Sequence, residues 1–126
     1  EYKNHHHHGA YIISHTELPG FTRAQQQLLM ALVYNHRADI NREIIARQTM
    51  TSVLLAVRLT RLLRLAVVLS MRRRHEVLPE VQISAQAESL TLTLPKGWLD
   101  QHPLMRAELE QEVAYQQQAG WLLQLK

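Results

Sequence analysis

The 126-residue chain has no cysteine, which excludes a disulfide scaffold, thiolate-held zinc, an iron–sulfur cluster and a thiol nucleophile. Aspartate is scarce as well, at Asp39 and Asp100 alone, so the ligands left for any metal are His, Glu and these two. The four glycines (9, 20, 97 and 120) stand apart, and no G-x-x-x-x-G-K-[ST], G-x-G-x-x-G, G-x-S-x-G, H-E-x-x-H or D-x-D occurs. Phosphoryl transfer needs carboxylates for Mg²⁺ and a loop that cradles phosphate. Lacking both, the chain by itself is expected not to turn over a phosphate ester. A charge-free apolar run is missing too. Thr51 to Arg73 is long enough to span a bilayer, but Arg58, Arg61 and Arg64 interrupt it at roughly 2.5–3.5 kcal/mol each in hydrocarbon, so no membrane span is expected. The chain opens at Glu1 without an initiator Met or a basic-then-apolar leader, as expected of a piece of a longer, cytoplasmic protein.

What is present is 46% hydrophobic residues, enough for a real core, and a lopsided charge. Residues 21–75 hold ten arginines against Asp39 and Glu43, a net +8, whereas residues 76–126 hold three cations against seven acids, a net −4. The break predicts a basic helical domain over 1–76 and a small acidic α+β domain over 77–126, with the anion-attracting field on the first.

The pattern along the chain predicts a mainly α protein. A short helix covers Gly9–His15 and stops at Leu18-Pro19-Gly20-Phe21, where Pro-Gly suits a type II turn. Thr22-Arg23-Ala24-Gln25 has capping-box spacing and opens a helix to about His36 whose Leu28, Leu29, Leu32 and Val33 share a face. Arg42–Gln48 makes a short helix. The stretch from Thr51 to about Arg73 is apolar in nearly every direction, so it reads as a central helix covered by others. At 100° per residue its Arg58, Arg61, Arg64 and Arg72 form one stripe. The period then changes to two. Val81, Ile83 and Ala85, then Leu90, Leu92 and Leu94, alternate with polar residues and predict a hairpin with one buried face, turning at Ala87–Ser89. Pro103 starts a helix to Gln118, with Leu104, Leu109, Val113 and Gln116 at helical spacing. Gly120 stops it and a last strand follows, giving β-β-α-β.

The candidate functional residues are basic. In the run His5–His8, adjacent imidazoles cannot all face one metal within regular structure, so most of the run reads as solvated loop, or as the remnant of an affinity tag. His36-Arg37 ends a helix, where a cation is favoured by the dipole and phosphate contact is the alternative. Arg72-Arg73-Arg74-His75 admits the same two readings. For Arg58, Arg61 and Arg64 the choice is between pairing with acids such as Glu76, Glu80 and Glu108 and lining a groove for a polyanion, which guanidinium grips bidentately. Phosphates of a nucleic acid are a third partner for an Arg-rich helix, disfavoured by the lack of stacking aromatics near the arginines and by the acidic tail.

Five ordered blocks carry a family resemblance: Tyr11-Ile12-Ile13-Ser14-His15-Thr16-Glu17-Leu18-Pro19-Gly20-Phe21-Thr22, then Gln25–Leu29, Asn35-His36-Arg37, Arg61–Leu69 and Leu90–Leu99. Over its whole length the chain resembles the C-terminal part of the bacterial exopolyphosphatase and guanosine pentaphosphate phosphohydrolase family, and Pro95-Lys96-Gly97-Trp98-Leu99 with Gln101-His102-Pro103-Leu104 looks closer to the guanosine pentaphosphate branch. The resemblance implies an HD-like helical domain followed by a small α+β domain, and a parent enzyme that is cytoplasmic, Mg²⁺-dependent and catalytic through domains N-terminal to Glu1. It implies an accessory role here: homodimerisation, and binding of pppGpp on the way to ppGpp, or of polyphosphate if the parent is an exopolyphosphatase. His8 matches a histidine of the HD-like part, and His36, Arg37, Arg61 and Arg64 match recurring basic positions, which with Arg58, Arg72 and Arg73 make the expected polyanion-binding set. The closing Ala-Asp of a true HD metal site reads Ala66-Val67 here. Valine cannot ligate a metal, so neither a metal, a cofactor nor a catalytic residue is expected in this chain.

Overall fold

The computed structural model describes residues 5–70 and 78–126. Eight elements follow in order: α1 (His5–His15), α2 (Arg23–Tyr34), α3 (Arg42–Arg47), α4 (Val53–Ser70), β1 (Gln82–Gln86), β2 (Ser89–Thr93), α5 (Pro103–Gln118) and β3 (Leu122–Leu125). The mainly α fold with a small β-β-α-β part is as the sequence pattern predicts. Two compact units divide between Arg64 and Leu65, inside α4, earlier than the change of charge at residue 76. The division lies there because Leu65, Val68 and Leu69, in the last turns of α4, belong to the apolar core of the second unit.

In the first unit α1 and α2 form a helical hairpin. Gly9 lies close against Val33, where an added Cβ would meet a methyl at 3.4 Å. Gln26 Nε2 donates to the Ile13 and Thr16 carbonyls, satisfying the end of α1. The capping box at Thr22 is complete, with the Gln25 amide donating to Thr22 Oγ1 at 3.0 Å and the Thr22 amide to Gln25 Oε1 at 2.9 Å. Asn41 caps α3 through its side chain, and the Ser52 hydroxyl accepts from the Leu55 amide at the start of α4.

Three boundaries differ from expectation. α1 begins at His5, four residues early, so the histidine run is the first turn of a helix instead of a solvated loop. α2 ends at Tyr34 because Asn35 folds back, its carboxamide donating to the Ala31 carbonyl. The third concerns α4, whose helical residues run from Val53 to Ser70, with Arg72 and Arg73 lying outside the described residues. It is not covered all round. Ala56, Thr60, Arg61 and Arg64 are buried, while Leu54, Leu55, Leu59, Leu62 and Leu63 are exposed.

The second unit builds a three-stranded sheet in the order β1-β2-β3. β1 and β2 are an antiparallel hairpin with Gln86 opposite Ser89, and Ala87 takes φ 56° in its turn. β3 returns parallel to β2, Leu123 beside Leu90, through the α5 crossover that a parallel neighbour requires. Within the hairpin β2 alternates in burial and β1 is exposed along its length, so the hairpin buries one strand's apolar face and not both; β3 alternates with Leu123 inward. α5 begins on Pro103 and ends in a Schellman arrangement, Trp121 N–H to Gln116 O and Gly120 N–H to Gln117 O, with Gly120 at φ 85°. Its inward stripe is Met105, Leu109, Glu112 and Gln116. Leu104 falls 100° off that stripe and is exposed, contrary to expectation. Among the described residues no helix is long and apolar enough to cross a membrane.

Candidate functional site

The first turn of α1, the end of α2 and the middle of α4 bring a basic cluster together in the first unit. Helical spacing puts His6 on the same stripe as Ala10 and Ile13, and His6 and Ala10 are buried. The His6 ring meets His7 at a centroid distance of 4.1 Å, His36 edge-on at 5.7 Å and Tyr34 at 6.4 Å. His7 stacks flat on Tyr34 at 4.0 Å. Neither ring nitrogen of His6 has a hydrogen-bond partner among the described residues. Burial first, and then the positive charges of His7, His36, Arg37 and Arg64, push its pKa from 6.5 down to about 4. Each of these neighbours disfavours a proton on His6, and near neutral pH it is an uncharged imidazole close to the guanidinium groups of Arg37 and Arg64.

His36 and Arg37 follow directly on α2. His36 Nδ1 lies 2.6 Å from the Val33 carbonyl; a carbonyl only accepts, so Nδ1 carries a proton. Arg37 is exposed. Behind them Arg64 is completely buried, its two terminal nitrogens donating to the Asn35 and Ala38 carbonyls at 2.7 Å each. The planar fork of guanidinium suits two carbonyls that a single lysine nitrogen would serve less well. Asn35 is also fully buried, and its Oδ1 accepts from the Asn41 amide at 2.6 Å. Ala38 sits at φ 60°, a left-handed conformation unusual for alanine, and its carbonyl is one of the two that Arg64 holds. The loop that presents His36 and Arg37 is therefore fixed from below.

The structure accordingly separates the expected polyanion-binding residues. His36 and Arg37 sit together, near Arg64. Arg58 is exposed on α4, whereas Arg61 and Arg64 are buried, so the arginine stripe is not one open surface. His8 is exposed on α1, and the histidines that enter the cluster are His6 and His7. The sequence reading missed these two because it began α1 at Gly9; extending the Ala10–Ile13 stripe back by one turn would have placed His6 inward. Among the described residues no group of three His, Asp or Glu side chains is arranged to hold a metal. An open groove of about 800 Å³ lies elsewhere in this unit, along the Ser14–Phe21 turn beside Arg23, Gln26 and Met30, and it contains none of the cluster.

Comparison with known proteins gives a consistent result. The family model described as Ppx/GppA phosphatase, domain III, matches residues 1–113. The chain is 46% identical over 121 residues to a guanosine-5′-triphosphate,3′-diphosphate pyrophosphatase of Aeromonas salmonicida, covering 96% of this chain and 24% of the relative. A protein of the same name from Aeromonas hydrophila matches with the same identity and coverage. Another, from Pseudoalteromonas translucida, is 42% identical over 123 residues, 98% of this chain and 24% of the relative. The chain thus spans about a quarter of the length of these curated relatives.

Proposed function

Since this chain belongs to the Ppx/GppA phosphatase family and corresponds to the C-terminal region of its guanosine pentaphosphate branch, we propose that it is the accessory part of a cytoplasmic enzyme that hydrolyses pppGpp to ppGpp and phosphate. The catalytic domains belong to the remainder of that enzyme. This region helps to hold the highly charged substrate and contributes to homodimerisation.

The observation that carries the reading is the basic cluster at the end of α2. His36 and Arg37 lie on a loop whose carbonyls are tied to buried Arg64, and the guanidinium groups of Arg37 and Arg64 are close to its neighbour His6. A phosphate oxygen supplies the negative charge and the hydrogen-bond acceptors that such a group favours. In this reading Arg37 donates to phosphate from its exposed position and His36 offers its imidazole beside it, while Arg58 adds charge on α4. Arg64 and Arg61 act from within, Arg64 by fixing the loop. Arg72 and Arg73 extend the same basic run in sequence.

The Mg²⁺ that the family implies does not fit this cluster. Mg²⁺ takes oxygen ligands in near-octahedral geometry, and the groups here are imidazoles and guanidinium cations. The ion is therefore assigned to the rest of the parent enzyme.

The test is steady-state kinetics of the intact enzyme on pppGpp and on polyphosphate. Losing one charge-assisted contact of about 1.5 kcal/mol raises KM roughly tenfold. Arg37→Ala is expected to do so with kcat little changed, and with a smaller effect at high salt. An unchanged KM on both substrates would defeat the substrate-holding role.

A further inference from the structure

In the first unit α4 is built inside out. At 100° per residue Leu55, Leu59, Leu62 and Leu63 fall within an arc of about 100°, and they are 46%, 37%, 43% and 36% exposed. Leu54, 57% exposed, widens the patch, and Arg58 stands at its margin. The opposite side carries Thr60, Arg61 and Arg64 and is the buried one, as is Ala56 at the edge between the two. Arg64 donates to the Asn35 and Ala38 carbonyls, bonds that hold the polar side inward because no other rotation of the helix brings the guanidinium to them, while the Thr60 hydroxyl is satisfied within the helix on the Ala56 carbonyl. A helix that hides its hydroxyl and guanidinium groups while presenting leucines is covered on both sides in its native setting.

We propose that the leucine face of α4 is the seat of a polypeptide segment N-terminal to Glu1 in the same chain, packed as an amphipathic helix with an acidic residue opposite Arg58. The proposal rests on the reading of this chain as the C-terminal part of a longer protein. Two observations choose this occupant. The relatives are about four times as long as the chain, which covers 24% of them from the C-terminal side, so the unmatched polypeptide lies on the N-terminal side and is ample. A second copy of the same face is disfavoured by charge: residues 21–75 carry a net +8, and a symmetric pairing across α4 sets two Arg58 side chains and their basic surroundings against each other. An upstream helix bearing an acid has no such penalty, and being on the same chain it binds at high effective concentration.

The experiment uses the intact gene product. Carbene footprinting of the unmodified protein reads the accessibility of Leu55, Leu59, Leu62 and Leu63, with the urea-unfolded protein as reference. About tenfold less labelling in the native state, unchanged on a hundredfold dilution, is expected of a face sealed by its own chain. A photo-crosslinking benzoylphenylalanine at position 59 then identifies the neighbour: the expected product is an intramolecular link to a residue preceding Glu1. Crosslinks that run between two copies, or leucines that label as freely as in urea, would overturn the proposal while leaving the accessory-domain reading intact. A reading frame with no segment upstream of Glu1 would overturn both.

Discussion

Replacing Arg64 tests the claim that a buried guanidinium organises the loop that presents His36 and Arg37. The side chain is wholly buried and donates twice, at 2.7 Å, to the carbonyls of Asn35 and Ala38. Each charge-assisted bond contributes about 1.5–3 kcal/mol, so the loss of two in Arg64→Met forfeits roughly 3–6 kcal/mol. The desolvation that the guanidinium itself suffers offsets part of this, leaving a net loss of about 3 kcal/mol. In a unit of this size that corresponds to a fall in Tm on the order of 12–24 °C. Arg64→Lys keeps the charge but not the fork, and is expected to recover less than half of the loss. Urea unfolding followed by circular dichroism measures the global term. Amide exchange at Asn41, whose N–H bonds to Asn35 Oδ1, reads the loop directly, and its protection should fall in both variants. A loss below about 1 kcal/mol, with Asn41 still protected, would refute the reasoning, because it would mean that the two carbonyls find other donors at no cost.

Further outcomes follow from the same neighbourhood. His6 binds its proton with a pKa of about 4 in the folded chain against 6.5 unfolded, so the unfolded state takes up more protons between these values. Stability is then complete above about pH 6.5 and declines as pH falls towards 4, by roughly 2–3 kcal/mol; His6→Phe should flatten that part of a Tm-against-pH profile, and an unchanged slope would count against a buried neutral His6. Ala38→Gly relieves the left-handed strain at φ 60° and should raise stability by about 0.5 kcal/mol once the added freedom of the unfolded chain is subtracted; denaturant midpoints give the sign, and a destabilised variant would contradict the strain. Thr22→Ala removes the acceptor that holds the Gln25 amide and should cost about 1 kcal/mol, seen as fraying of the first turn of α2 in amide exchange.

How far the sequence carried depended on whether the signal was local. The capping box at Thr22, the turn at Pro19-Gly20, the Pro103 start and Gly120 stop of α5, and the change from helical to strand period near residue 80 all appear in the structure, because each concerns bonds between residues a few positions apart. Errors arose where one residue has two local solutions. His5–His8 has no propensity strong enough to choose helix over loop, and only packing against Tyr34 and His36 decides that it is the first turn of α1. In α5 both Leu104 and Met105 are apolar, and the phase that places Met105, Leu109, Glu112 and Gln116 inward is set by the sheet they face. For the candidate site, the residue types and the net charge were legible, but not which arginines open to solvent: Arg58 is exposed and Arg64 is the most deeply buried of the set.

By itself the sequence determined the element types and most of their ends, the absence of cysteine chemistry, the uneven charge and, through its ordered blocks, the family. Those properties reside in composition and in short-range spacing. The tertiary structure alone decided which way α4 is rotated, and hence that a guanidinium carried by a leucine-rich helix faces inward to hold two backbone carbonyls. The physical reason is that an apolar helix has no preferred inward side of its own: its orientation is chosen by the unsatisfied carbonyls at the end of α2, which only a distant part of the chain, twenty-six to twenty-nine residues further on, supplies with donors.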